Sequence, residues 1–155
     1  MRLALYQPDI APNVGTMLRL GACLGVPVDI IEPCGFPFGA KDLRRAVMDY
    51  SAAADVTRHV SWQEFARHKS GKRLILLSTK ADTAYTDFTF TESDILLVGR
   101  ESAGVPDAIH DAADHRVLIP MAKGLRSINV ALSAAMVLGE ALRQTADFPN
   151  TSPFT

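Results

Sequence analysis

Val117-Leu118-Ile119-Pro120-Met121-Ala122-Lys123-Gly124-Leu125-Arg126-Ser127-Ile128-Asn129, continued by the Ala/Leu-rich run from Val130 to Gln144, is the stretch around which the chain is organised. The β-branched run Val117 to Ile119 predicts a strand, Pro120 ends it, a small-residue loop follows, and Ser127 opens a helix. Ser127 suits an N-cap because its hydroxyl accepts from the free N–H groups of a first helical turn. The helix carries apolar or small residues on nearly every face through Leu138, and charge enters only at Glu140 and Arg143. A helix apolar all round must be covered all round, at the centre of a large core or against a second subunit.

Outward from that stretch, the bulk properties narrow the classes. A chain of 155 residues is expected to form one domain with a core that needs no disulfides. The net charge of -1 excludes a global basic field, so any nucleic-acid site must be a local patch. Cys23 and Cys34 form no disulfide framework and lack metal-ligand spacing, which points to a reducing cytosol. The apolar start before Gln7-Pro8 is too short for a signal peptide, and no run approaches the ~20 residues of a membrane span. A cytoplasmic protein without membrane contact is expected.

Short β-type runs alternate with helical segments along the chain. Leu3 to Tyr6, Val28 to Ile31 and Val56 to Val60 are predicted strands, and Val14 to Leu24 is a helix closing on Gly25. Lys41 to Asp49 is a short helix with Lys41, Arg44 and Arg45 exposed. Ser61 caps a helix carrying Trp62 and Phe65, with Glu64 completing a capping box. Arg73 to Ser78 and Asp94 to Val98 hold continuous apolar runs, as buried parallel strands do. Val105 to Ala113 is a helix with Pro106 near its first turn. The expected organisation is a single α/β domain over 1–144, a mostly parallel open sheet flanked by helices, with 145–155 a loose tail. In such sheets a ligand sits beyond the carboxyl ends of the strands.

Three loops at those strand ends carry chemistry. In Gln7 to Arg19, Asn13 can cap the helix and Arg19 projects from its side. Gly99-Arg100-Glu101-Ser102-Ala103-Gly104-Val105-Pro106 has the glycine spacing of a phosphate loop, but Val105-Pro106 stand where Lys and Ser/Thr would hold phosphate and magnesium. The third is Ile119-Pro120-Met121 with Ser127 and Asn129. Elsewhere, Cys34 after Pro33 could be a nucleophile, but it lies outside these loops. His59, His68, His110 and His115 read as solvated surface.

Asn13-x-Gly15-x-x-x-Arg19, Gly99-x-Glu101-x-x-Gly104-Val105-Pro106 and Ile119-Pro120-Met121 with Arg126-Ser127-x-Asn129 resemble, in order and spacing, the three motifs of the SPOUT methyltransferases. Among these the chain is most similar to the small tRNA ribose 2′-O-methyltransferases that modify the wobble nucleotide of certain leucine tRNAs. The resemblance runs from Leu3 to about Gln144. It implies a C-terminal deep trefoil knot, an exception to the rule that chains avoid knots. It also implies a homodimer packed through the first and last helices, and S-adenosylmethionine held by Leu77, Gly99, Glu101, Ile119, Met121 and Ser127, with no metal required. Its substrate would be the wobble cytidine or modified uridine of leucine tRNA. Another tRNA or rRNA site, or a non-catalytic RNA- or cofactor-binding knot module, are the alternatives.

In such an enzyme the ribose hydroxyl must lie in line with the methyl group and lose a proton. The resemblance gives Arg19, Ser127 and Asn129 to catalysis, with Arg19 reaching across from the partner subunit. A guanidinium stays protonated, so Arg19 is expected to orient phosphate or lower the hydroxyl pKa. Arg19, Arg44 and Arg126 are the candidate contacts to substrate RNA, with Lys41, Arg45, Arg58 and Lys123 further candidates for phosphate. Ala103, where close relatives often carry arginine, and Gly139, where an aromatic is common, depart from the family pattern.

Overall fold

The computed structural model describes residues 1–37, 39, 41, 45, 50 and 53–150. The helix expected over Lys41 to Asp49, and with it Arg44, falls largely outside the described residues. Six strands, β1 (Arg2–Tyr6), β2 (Val28–Ile31), β3 (Val56–His59), β4 (Leu74–Leu77), β5 (Ile95–Val98) and β6 (His115–Val117), form one sheet in the order β3-β2-β1-β5-β4-β6. Every neighbouring pair is parallel. The helices are α1 (Ala11–Leu24), α2 (Trp62–Lys69), α3 (Asp107–Ala112) and α4 (Val130–Thr145), and Tyr85–Asp87 makes a 3-10 turn.

Side chains alternate across a strand, and here both faces are buried. Leu3, Leu5, Val28, Ile30, Ile75, Leu96 and Val98 share one core with Val14, Met17 and Leu18 of α1 and Ala134, Val137 and Leu138 of α4. Ala4, Tyr6, Ile31, Leu74, Leu76, Ile95 and Leu97 share the other with Phe65 of α2 and Ile109 of α3. Two-sided burial is why these strands read as unbroken apolar runs. Each of the fully buried Leu and Ile side chains contributes roughly 1.5–3 kcal/mol.

Local chemistry sets the helix ends. Gly25, at φ 65°, closes α1 in the left-handed conformation that glycine adopts without strain. Ser61 caps α2, its hydroxyl accepting from the Glu64 N–H. The Glu64 carboxylate reaches back one residue further than a capping box does, to the N–H of Val60 at 2.6 Å.

Four expectations are corrected. Ile10, without a side-chain cap, precedes α1, so Asn13 lies inside the first turn and is free for other bonds. The last strand is His115–Val117, not Val117 to Ile119. It is an edge strand of mixed polarity, and the apolar Leu118 beyond it bonds instead to Thr83 and Tyr85. The last helix begins at Val130 under Asn129, whose Oδ1 accepts from Ala131 and Leu132, and not under Ser127. Thr145, placed in the tail by the sequence, is still helical.

The sheet winds away from its centre in both directions, and β1 and β5 lie side by side there. The loops after these two strands therefore meet at the switch point, where open α/β sheets hold ligands.

Candidate active site

The loop after β5 is a tight hairpin. Arg100 N–H donates to Gly104 O at 3.0 Å, and Gly104 N–H returns to Arg100 O at 2.9 Å. A Cβ on Gly99 would stand 2.7 Å from the Gly104 carbonyl carbon, so the closure requires glycine there. Gly104 itself sits at φ 64°.

Hydrogen bonds join this hairpin to the other two loops. Glu101 Oε1 accepts from Asn13 Nδ2 at 3.1 Å, and Asn13 Oδ1 accepts from Asn129 Nδ2 at 3.0 Å. Asp9 N–H donates to Glu101 Oε2 at 3.2 Å, Glu101 N–H donates to Asp9 Oδ1 at 3.1 Å, and the Ser102 hydroxyl donates to Asp9 Oδ2. Burial and the facing carboxyl of Asp9 push the Glu101 pKa up. The same contact with Glu101, with help from Ser102, holds Asp9 down at about 2.

These loops, with the ends of β4 and α4, enclose a cavity of about 520 Å³, within the roughly 300–1,000 Å³ of small-molecule sites. Leu77, Gly99, Glu101, Ile119, Met121, Ser127 and Asn129 all line it. So do Arg100 and His110, whose Nε and Nε2 atoms are buried without a hydrogen-bond partner among the described residues. Arg100 is otherwise committed to Gln7 Oε1 and to the Tyr6 ring face, 5.8 Å from its centroid. Apolar walls, a glycine-bounded edge, two unsatisfied buried N–H-type positions and the carboxylates of Glu101 and Asp107 suit a ligand with a flat apolar ring system, polar ends and positive charge. S-adenosylmethionine fits that description.

Arg19 is not on the cavity wall. It lies on the exposed side of α1, donates to the Tyr50 hydroxyl at 3.1 Å and stacks 4.8 Å from that ring. The bond to Tyr50 raises its pKa and keeps it protonated. Arg126 and Lys123 are exposed in the loop that carries Ser127. Arg58 pairs with Glu32.

The Cys34 thiol is pushed up to about 11, chiefly by burial, which opposes the thiolate a nucleophile needs. His59 is corrected: it is buried at 2% exposure, with Nε2 2.8 Å from Asp29 Oδ1. Asp29, His59 and His68 bring ligand-type atoms within 4.8 Å of one another, but Arg2 already grips both oxygens of Asp29. That cluster is a buried ion pair. His110, read from sequence as solvated surface, is corrected too, since its Nε2 is buried at the cavity; Asp9 and Arg100 were not singled out from sequence. Asp9 stands in a quoted loop, yet its partner is 92 residues away, in the loop after a strand whose neighbour the sequence does not reveal.

A parallel α/β sheet with a cavity over its switch point, lined from all three loops, is the arrangement in which open α/β proteins hold a ligand. The chain belongs to the SpoU rRNA Methylase family, whose model matches residues 1–139, and it is a methyltransferase. It is 62% identical over 144 residues to a tRNA (cytidine(34)-2'-O)-methyltransferase of Beijerinckia indica, covering 92% of this chain and 90% of that one. A solved structure described under the 2-OH methylation of C/U34 on tRNA superposes with TM-score 0.85 at 35% identity, over 92% of this chain and 94% of the other. The SpoU methyltransferase AviRb from Streptomyces viridochromogenes, solved in complex with AdoMet, gives 0.80 at 28% identity, over 93% of this chain and 60% of that one.

Proposed function

We propose that the protein transfers the methyl group of S-adenosylmethionine to the ribose 2′-hydroxyl of the wobble pyrimidine, cytidine or modified uridine, in leucine tRNA. The observation that carries this reading is the meeting of all three loop motifs on one cavity. The wobble-position names of the similar proteins support the substrate, and the complex of a related methyltransferase with AdoMet supports the donor.

The donor supplies a methyl group on a positively charged sulfur. Gly99 lets the backbone approach it, Leu77, Ile119 and Met121 give apolar contact, and Ser127 offers a hydroxyl from the third loop. Glu101 gives the wall a negative group. Arg19 and Arg126 are exposed cations suited to RNA phosphate, with Arg44 a further contact in this reading. Arg19, Ser127 and Asn129 place the ribose.

The reading includes a homodimer. Leu132 and Met136, 59% and 42% exposed, and Gly139 form one stripe along α4, and Ile10 at the head of α1 is also exposed. Apolar residues at this spacing on a packed helix call for a second surface. A partner's α1 would bring Arg19 to the cavity. A threaded C-terminal segment also belongs to the reading: α3 and α4 pack on opposite faces of the sheet, and the chain between them is bonded at Val117 and Leu118 to the 78–85 loop.

The test is incubation with tritiated S-adenosylmethionine and tRNA from a strain lacking its own wobble methylase, followed by nucleoside analysis. Label in a 2′-O-methylated pyrimidine at the wobble position of leucine tRNA is expected. The family's rRNA description favours one other reading, and label in ribosomal RNA alone would establish it. Cofactor binding without transfer to either RNA would leave a binding module.

A further inference from the structure

Ribose methylation requires a group that takes the hydroxyl proton, and the cavity wall offers few. Arg19 lies off its own chain's wall, and as the partner's Arg19 at the cavity of the homodimer it is a guanidinium that the Tyr50 contact holds protonated. Asn13, Ser127 and Asn129 are neutral. Among the described residues, Lys80, Asp107, His110 and Glu101 are the charged or titratable groups that face the cavity besides Arg100. Lys80 and Asp107 are exposed, and His110 Nδ1 is engaged by Arg116. Glu101 is half-buried and fixed from two sides, by Asn13 on α1 and by the N–H of Asp9. A carboxylate accepting two such bonds keeps lone pairs for a hydroxyl.

Resting on the ribose-methylation reading above, we infer that Glu101 takes the proton of the attacking hydroxyl and that Asp9, which is not on the cavity wall, is the residue that positions it. Asp9 and Glu101 exchange backbone N–H bonds across the β1 and β5 loops, so neither carboxyl can turn without breaking two contacts. The loop containing Gly35 closes on Asp9 from behind: a Cβ there would lie 2.6 Å from the Asp9 Cβ, and Gly35 N–H bonds to Pro8 O at 2.9 Å. In the step itself the hydroxyl oxygen bonds to the methyl carbon, and the carbon–sulfur bond breaks with its electron pair left on sulfur as a neutral thioether. The proton passes to a carboxylate oxygen of Glu101 and then to water. Asp9 opposite Glu101 raises the proton affinity of that carboxylate, which suits a base.

The experiment compares wild type, D9N, E101Q, E101D and H110Q in three measurements: calorimetric binding of S-adenosylmethionine, carboxyl-carbon NMR titration of Glu101 without cofactor, and single-turnover methylation against pH at saturating cofactor and tRNA. E101Q is expected to lose on the order of 100-fold in rate, well beyond the loss of cofactor affinity that removing the wall's negative group brings, and E101D to recover part of the rate. D9N is expected to move both the Glu101 titration and the acidic limb of the rate profile to lower pH, because the neighbouring negative charge is gone. H110Q is expected to leave that limb in place. The inference is overturned if E101Q keeps its rate, if cofactor binding falls in step with the rate, if D9N leaves the titration and limb unmoved, or if the limb follows H110Q. A wild-type protein that methylates no ribose refutes the parent reading instead, and the NMR titration still reports on the Asp9–Glu101 pair.

Discussion

Two carboxylate clusters in this fold are given different partners and do opposite things. Asp29, fully buried on β2, receives Arg2 at 2.7 and 3.0 Å and His59 at 2.8 Å. Phe65 and His68 pack their rings against His59. Asp9 and Glu101, on the cavity wall and just behind it, face each other with N–H groups, an amide and a hydroxyl as partners. A cation beside a carboxylate fixes its charge and ties strands together. A carboxylate beside a carboxylate keeps a proton exchangeable, at some cost to folding, where chemistry needs it.

The strongest way to break this comparison is Asp29→Ala. It leaves His59 buried without its partner and should destabilise the fold by on the order of 3–5 kcal/mol, as removal of one member of a buried pair does. Urea unfolding measures the loss, and calorimetry should find cofactor affinity nearly unchanged in the folded fraction. A large drop in affinity instead would mean that the two clusters are not separate. Gly99→Ala tests the other side: its Cβ collides with the Gly104 backbone, so cofactor binding should weaken roughly tenfold or more, with a stability cost of about 1–3 kcal/mol. Asn129→Ala falls below both. Loss of the α4 cap should cost about 1 kcal/mol, and release of Asn13 should also slow methyl transfer, which separates it from a cap with no role in the site.

The framework side of the comparison was the more legible in the sequence. Leu74–Leu77 and Ile95–Val98 announced themselves as buried strands because both sheet faces are covered, and Gly25 marked its helix end by geometry that few other residues accept. The site was legible as motif positions but not as bonds. Ser127 and Asn129 have similar N-cap propensity, and it is the tertiary arrangement, with Asn129 also reaching Asn13, that puts the cap on Asn129. β6 was misplaced because an edge strand beginning with His115 and Arg116 lacks the apolar run by which the central strands are found. Asp9 was passed over since nothing local tells that β1 and β5 are neighbours.

The smallest expected effect comes from opposite pH slopes in the two kinds of carboxyl. Asp94, 1% exposed at the head of β5, would be pushed up by burial, but bonds from Arg73 at 2.7 and 2.8 Å and from the Thr91 N–H and hydroxyl outweigh it, and its pKa is lowered. The folded state then binds the proton less tightly than the unfolded chain, whose aspartates titrate near ~3.9. Its contribution is therefore present above about pH 4 and fades as pH falls toward the lowered folded value. Glu101 has the reverse sign: its folded pKa is raised above the ~4.3 of an unfolded glutamate. Stability from that group is lost as pH rises from about 4 through the folded value. Asp94→Asn should flatten the acid limb of a series of urea midpoints and leave the neutral side alone. Glu101→Gln should remove the decline that sets in above about pH 4. Equal slopes for the two variants would mean that Glu101 is a framework carboxylate like Asp94, its charge fixed and its proton unavailable to the cavity.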